Sequence, residues 1–100
     1  MKILLFVSSH CPHCPDAERI VRKIMPEYGL SFSKIRMKTP EGKELSSKYN
    51  IMALPTLLIL DNNENEVKRI VGVPDEDLLK NKIEKLLGLR KSFLGRLFGR

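Results

Sequence analysis

The chain begins with an unbroken apolar run, Ile3-Leu4-Leu5-Phe6-Val7, and then switches to a helical stripe. A continuous run of this kind fits a strand buried on both faces, inside a sheet that helices cover. Ala17, Ile20, Val21, Ile24, Met25 and Tyr28 recur at i, i+3, i+4, i+7, i+8 and i+11, which is one face of a helix. Pro12 and Pro15 fall in the expected first turn, where a missing N–H costs little, and Pro26 and Gly29 mark the end. Leu30 to Met37 alternates around Phe32, Ile35 and Met37 and predicts a second strand. Two strands flanking one helix pair in parallel through a right-handed crossover.

The rest of the chain completes one domain. Thr39-Pro40-Glu41 opens a short helix that runs to Tyr49 and closes at Asn50. Thr56 to Leu60 is a third apolar strand, Asp61-Asn62-Asn63-Glu64-Asn65 a turn, and Glu66 to Val71 a fourth strand, so the last two form an antiparallel hairpin. Pro74-Asp75 opens a final helix with Leu78, Leu79, Ile83, Leu86 and Leu87 on one face and Gly88 after it. The order β-α-β-α-β-β-α predicts an α/β fold, a four-stranded mixed sheet with helices on both faces. The sequence divides into a domain over residues 1–88 and a tail over 89–100.

Charge is concentrated in that tail end. Residues 1–79 hold 11 Lys/Arg against 11 Asp/Glu, so the net +6 comes from seven basic residues after position 79 opposed by Glu84 alone. This removes most of the support for nucleic-acid binding by the domain. Leu89, Phe93, Leu94, Leu97 and Phe98, interleaved with Arg90, Lys91, Arg96 and Arg100, read as an amphipathic basic helix. It can extend the domain, fray, touch a membrane surface or an acidic partner, or contact nucleic acid, and Gly95 and Gly99 weaken it. The apolar start is too short for a signal peptide and no run suits a membrane span, so the expected location is cytoplasmic.

Both cysteines of the chain lie in Cys11-Pro12-His13-Cys14, at the junction of the first strand and helix. That spacing suits either disulfide exchange or a metal ion. For exchange, the helix N-terminus favours a thiolate at Cys11, Cys14 is close enough to close a disulfide, Pro12 stiffens the turn, and His13 adds positive charge that Asp16 and Glu18 oppose. For metal, His10, Cys11, His13 and Cys14 offer four N/S ligands in five residues, but one short turn wraps poorly around a tetrahedron and no second CxxC is present. A metal-binding or metal-delivery module therefore stands as the alternative, while a GxGxxG nicotinamide site is absent.

Tyr49-Asn50-Ile51-Met52-Ala53-Leu54-Pro55-Thr56 together with the CxxC resembles the thioredoxin superfamily, most closely its short archaeal-type glutaredoxin-like thioredoxins. The resemblance spans residues 2 to about 88 and implies a thioredoxin-like fold and a protein thiol–disulfide oxidoreductase. It implies a cis bond at Pro55 opposite the CxxC, with Leu54, Thr56, Gly72 and His10 at the substrate side. Cys11 is then the nucleophile, Cys14 the resolving thiol, and His13 with Pro12 the tuning pair. No cofactor or metal is implied beyond the redox-active Cys11–Cys14 disulfide. The partners implied are disulfide-bearing proteins and an external thioredoxin-reductase-like donor, acting on a monomer.

The departures from the family are specific. Leu5 stands where thioredoxins bury an aspartate, so proton transfer falls to His13, a lysine or water. His10 replaces the tryptophan before the first cysteine, and Pro-His replaces Gly-Pro inside the motif, as in periplasmic disulfide-forming oxidoreductases. Leu54-Pro55 and the single Gly72 differ from the Val-Pro turn and double glycine of glutaredoxins.

Overall fold

A computed structural model describes residues 1–88, so the basic tail lies outside the described residues. The elements are β1 (Lys2–Val7), α1 (Cys14–Ile24) followed by a 3-10 turn (Met25–Tyr28), β2 (Ser33–Arg36), α2 (Pro40–Lys48), β3 (Thr56–Leu60), β4 (Glu66–Val71) and α3 (Glu76–Leu87). The sheet order is β2-β1-β3-β4. β1 pairs parallel with β2 and antiparallel with β3, and β3 pairs antiparallel with β4. This is the expected mixed sheet.

The two central strands divide the core by their alternation. Ile3, Leu5, Val7, Leu57 and Ile59 meet α1 and α3, while Leu4, Phe6, Leu58 and Leu60 meet Ile35, Ile51 and the α2 side. Both strands are thus buried on two faces, which is why their sequences show apolar runs instead of alternation. Phe6 and Leu5 are fully buried; burying such a side chain is worth about 1.5–3 kcal/mol.

Caps mark the helix boundaries. Thr39 accepts from the Gly42 N–H and Asp75 from the Asp77 and Leu78 N–H groups, each at an N-cap. Gly29 and Gly88 take left-handed conformations at the C-terminal ends. Tyr28 O–H donates to Glu84 at 2.6 Å and fastens the end of the first helical segment to α3.

Three expectations need correction. Pro12 does not lie in the first helical turn: His13 is the N-cap, Cys14 and Pro15 open the helix, and Pro12 sits in the turn before it. The second strand is Ser33–Arg36 and not Leu30 to Met37, because pairing with β1 starts only at Leu4–Ser33; Leu30 and Phe32 pack on the core without joining the sheet. Leu78 is 59% exposed and leaves the apolar face of α3 to Leu79, Ile83, Leu86 and Leu87. Leu78 shares a stripe with Lys82 and Lys85, four and seven residues on, which turns toward water.

Candidate active site

Strand pairing brings the distant motifs to one end of the sheet. Val7, the last residue of β1, pairs with Arg36 at the end of β2. Phe6 pairs with Thr56 at the start of β3, and Thr56 with Val71 at the end of β4. The segments running off that end are therefore the CxxC loop, the turn after β2, the Leu54-Pro55 turn and Gly72. The Leu54–Pro55 peptide bond is cis. Thr56 Oγ1–H donates to Ala53 O at 2.6 Å across this turn, and Gly72 N–H donates to Pro55 O at 2.8 Å. Gly72 has φ +89°, a conformation glycine adopts without strain. Behind the turn, the Arg69 guanidinium donates to Tyr49 O and, at 3.1 Å, to Asn50 O, while Glu66 holds it from β4.

The CxxC loop is built by its own backbone. Cys11 N–H donates to Ser8 O at 3.2 Å and Cys14 N–H to Cys11 O at 3.4 Å. Cys11 therefore lies just ahead of the helix and Cys14 is its first residue. Both are free thiols, Cys11 half-buried and Cys14 only 4% exposed. Burial, then a hydrogen bond with the Cys11 sulfur, pushes the Cys14 thiol from 9.0 to about 11, with a backbone hydrogen bond from Ser8 opposing. The two thiols thus interact but are unequal. Cys11 meets solvent, while Cys14 is held as a thiol inside. His13 and Pro12 are exposed at the turn.

Leu5 is fully buried, so the sheet beneath the cysteines offers no acid. Glu18, one turn beyond Cys14 on α1, contributes by its charge to the rise at Cys14. Glu18 is itself held below the usual carboxylate range, first by Arg22 and then by Lys34. Asp16 pairs with Arg19 at 3.9 Å and makes no such contribution.

A groove of about 410 Å³ runs beside the sulfurs, lined by Cys11, Cys14, Glu18, Lys34, Arg36 and Lys38 among others. The Lys38 ammonium donates to His10 Nε2 at 2.9 Å. His10 is thus tied to the turn after β2. Among the described residues no three His, Cys, Asp or Glu side chains converge to hold a metal ion. Sequence reading missed the three cations of the groove. Lys34 and Arg36 alternate with Ile35, a period-two signal, but their nearness to the CxxC depends on β2 lying next to β1. On the other side of the cis bond Met52 stands 82% exposed, and Leu54 packs on the same core cluster as Cys11.

Comparison with known proteins agrees with this geometry. The thioredoxin-domain family model matches residues 1–84. A probable thioredoxin of Archaeoglobus fulgidus is 39% identical over 84 residues, covering 84% of this chain and 87% of that one. A thioredoxin of Methanocaldococcus jannaschii is 34% identical over 87 residues, covering 87% and 96%. A thiol:disulfide interchange protein DsbD of Haemophilus influenzae is 47% identical over 86 residues, covering 77% of this chain but 15% of that much longer protein. Among solved structures, thioredoxin 1 from Thermosipho africanus superposes with TM-score 0.75 at 24% identity, over 91% of this chain and 99% of that one, a likeness of fold. The chain belongs to the thioredoxin family, and it is a thiol–disulfide oxidoreductase.

Proposed function

We propose that the protein exchanges electrons with protein disulfides through the Cys11–Cys14 pair, in the cytoplasm and as a monomer. The observation that carries this reading is the inequality of two interacting thiols, one half-buried and one buried and held protonated. The Cys11 thiolate attacks a substrate disulfide; one substrate sulfur leaves as a thiolate and a mixed disulfide forms. Cys14 then gives its proton to water in the groove and attacks the Cys11 sulfur. The second substrate sulfur leaves, the Cys11–Cys14 disulfide closes, and two electrons have passed to the substrate. An external reductase of the thioredoxin-reductase kind returns them. Pro55, with Leu54, Thr56 and Gly72, positions the substrate segment against Cys11, and Pro12 stiffens the attacking turn.

His13 places an ionisable cation inside the motif, and positive charge there favours the reduced form. The pair is therefore expected to be more oxidising than thioredoxin, above about −270 mV. Equilibration of the Cys11–Cys14 pair against a glutathione buffer measures this. His13→Ala should lower the value, and a wild-type potential at or below thioredoxin's removes His13 as the dominant influence. Cys14→Ser should trap a substrate as a mixed disulfide on Cys11. If no mixed disulfide forms and the wild type reduces no protein disulfide, the exchange reading fails. A metal-binding reading of the CxxC is not favoured, since the relatives of this chain are thioredoxins and thiol:disulfide interchange proteins.

A further inference from the structure

The groove beside Cys11 carries its cations on one wall. Lys34, Arg36 and Lys38 line it from β2 and the turn that follows, and Glu18 is the one carboxylate among its lining residues. Glu18 is already committed: Lys34 reaches its two carboxylate oxygens at 3.2 and 3.4 Å, and Arg22 lies at 2.7 Å. Lys38 donates to His10 Nε2, a neutral acceptor that leaves the ammonium charge uncancelled. Among the described residues, neither Arg36 nor Lys38 has a carboxylate partner. Two cations thus face the groove without a counter-charge.

These cations sit on a fixed mount. Arg36 O accepts from Thr39 N–H at 3.1 Å and from Thr39 Oγ1–H at 2.7 Å, and Met37 N–H donates to Val7 O at 3.0 Å. The turn is thereby tied to the strand that leads into the CxxC. The groove has a volume typical of sites for small ligands, roughly 300–1,000 Å³.

We infer that the groove selects disulfides bearing a negative group beside the sulfur to be attacked, with Arg36 and Lys38 as the recognising side chains. This deepens the exchange reading and rests on Cys11 being the attacking thiol. The anionic group lies against Arg36 and Lys38 while its neighbouring sulfur meets Cys11; the electron count of the exchange is unchanged.

The test uses the full chain and three small disulfides: dithiodiglycolate (anionic), hydroxyethyl disulfide (neutral) and cystamine (cationic). Each kcat/KM is normalised to that disulfide's rate with dithiothreitol, which removes intrinsic reactivity. The anionic substrate should exceed the neutral one by about 5- to 20-fold at roughly 10 mM ionic strength, and the cationic one should fall below it. Raising the salt to about 1 M shortens the screening length from about 30 Å to about 3 Å and should collapse the preference. Arg36→Gln/Lys38→Gln should bring the anionic-to-neutral ratio to within about twofold of unity, as expected when exposed pairs of modest strength are removed. Lys68→Gln/Lys80→Gln, which takes the same charge from β4 and α3, should leave the ratio as in the wild type. Equal normalised rates for the three disulfides overturn the proposal while the exchange reading stands, and so does an equal fall in both double variants. Failure to reduce any of the three overturns the proposal, and failure to reduce a protein disulfide as well sinks the exchange reading itself.

Discussion

At the scale of single residues, the two thiols differ by environment and not by type. Cys14 is buried and its proton is held up to about 11, whereas Cys11 is only half-buried. Iodoacetamide should therefore modify Cys11 alone in the reduced protein at pH 8, with Cys14 reacting only as the pH approaches its raised value. Peptide mass mapping reads this directly, and equal labelling of both at pH 8 would contradict the assigned environments. The same shift has a sign for stability. The folded state binds the Cys14 proton more tightly than the unfolded state, whose thiol titrates near 9.0. That contribution is complete below pH 9 and is lost as the pH rises toward about 11. Reduced wild type should lose more stability than reduced Cys14→Ala over that window, as followed by urea unfolding at a series of pH values.

At the scale of elements, the turn between β2 and α2 depends on one glycine. A Cβ on Gly42 would lie 1.9 Å from Arg36 O and 2.9 Å from the Met37 Cα, both backbone atoms that cannot rotate aside. Alanine would gain about 1 kcal/mol of helix propensity there. Overpacking against fixed backbone typically costs about 1–3 kcal/mol and more at such a distance. The clash is the larger effect, so Gly42→Ala should be destabilising by roughly 1–3 kcal/mol in urea unfolding. A variant as stable as the wild type would show that the turn yields.

Elements were legible in proportion to how locally they are specified. Ile3–Val7 and Thr56–Leu60 declare strands because both faces are buried, and Thr39, Asp75 and Gly88 mark helix ends through their own side chains or lack of one. Leu54-Pro55-Thr56 and the CxxC were readable as motifs, and the cis bond follows that pattern. The helix start at Cys14 was misplaced because either proline suits a first turn, and only the backbone bonds Cys11–Ser8 and Cys14–Cys11 decide between them. The basic wall of the groove was not legible, since it depends on which strand lies beside β1.

At the scale of the whole molecule, the sheet is polarised. One end carries the sulfurs, the cis-proline turn, Gly72 and the basic turn, while the hairpin tip at Asp61–Asn65 lies at the opposite end, where Lys2 pairs with Leu60. That tip is closed by local bonds: Asp61 Oδ1 accepts from Asn63 and Asn65 N–H groups at 2.8 and 2.9 Å, and Asn62 accepts from the chain's amino group at 2.8 Å. Its residues 62–65 are exposed. Lengthening such a loop is cheap, because each doubling adds only about 0.6 kcal/mol of closure entropy. A six-residue Gly/Ser insertion between Asn62 and Asn63 should cost about 1 kcal/mol in urea unfolding and leave the Cys11–Cys14 potential unchanged; an altered potential would show that the two ends communicate. The hairpin tip is accordingly the natural handle of the molecule. Attached there to an electrode, a bead or a fused partner, the protein would present the sulfur-bearing end of its sheet outward.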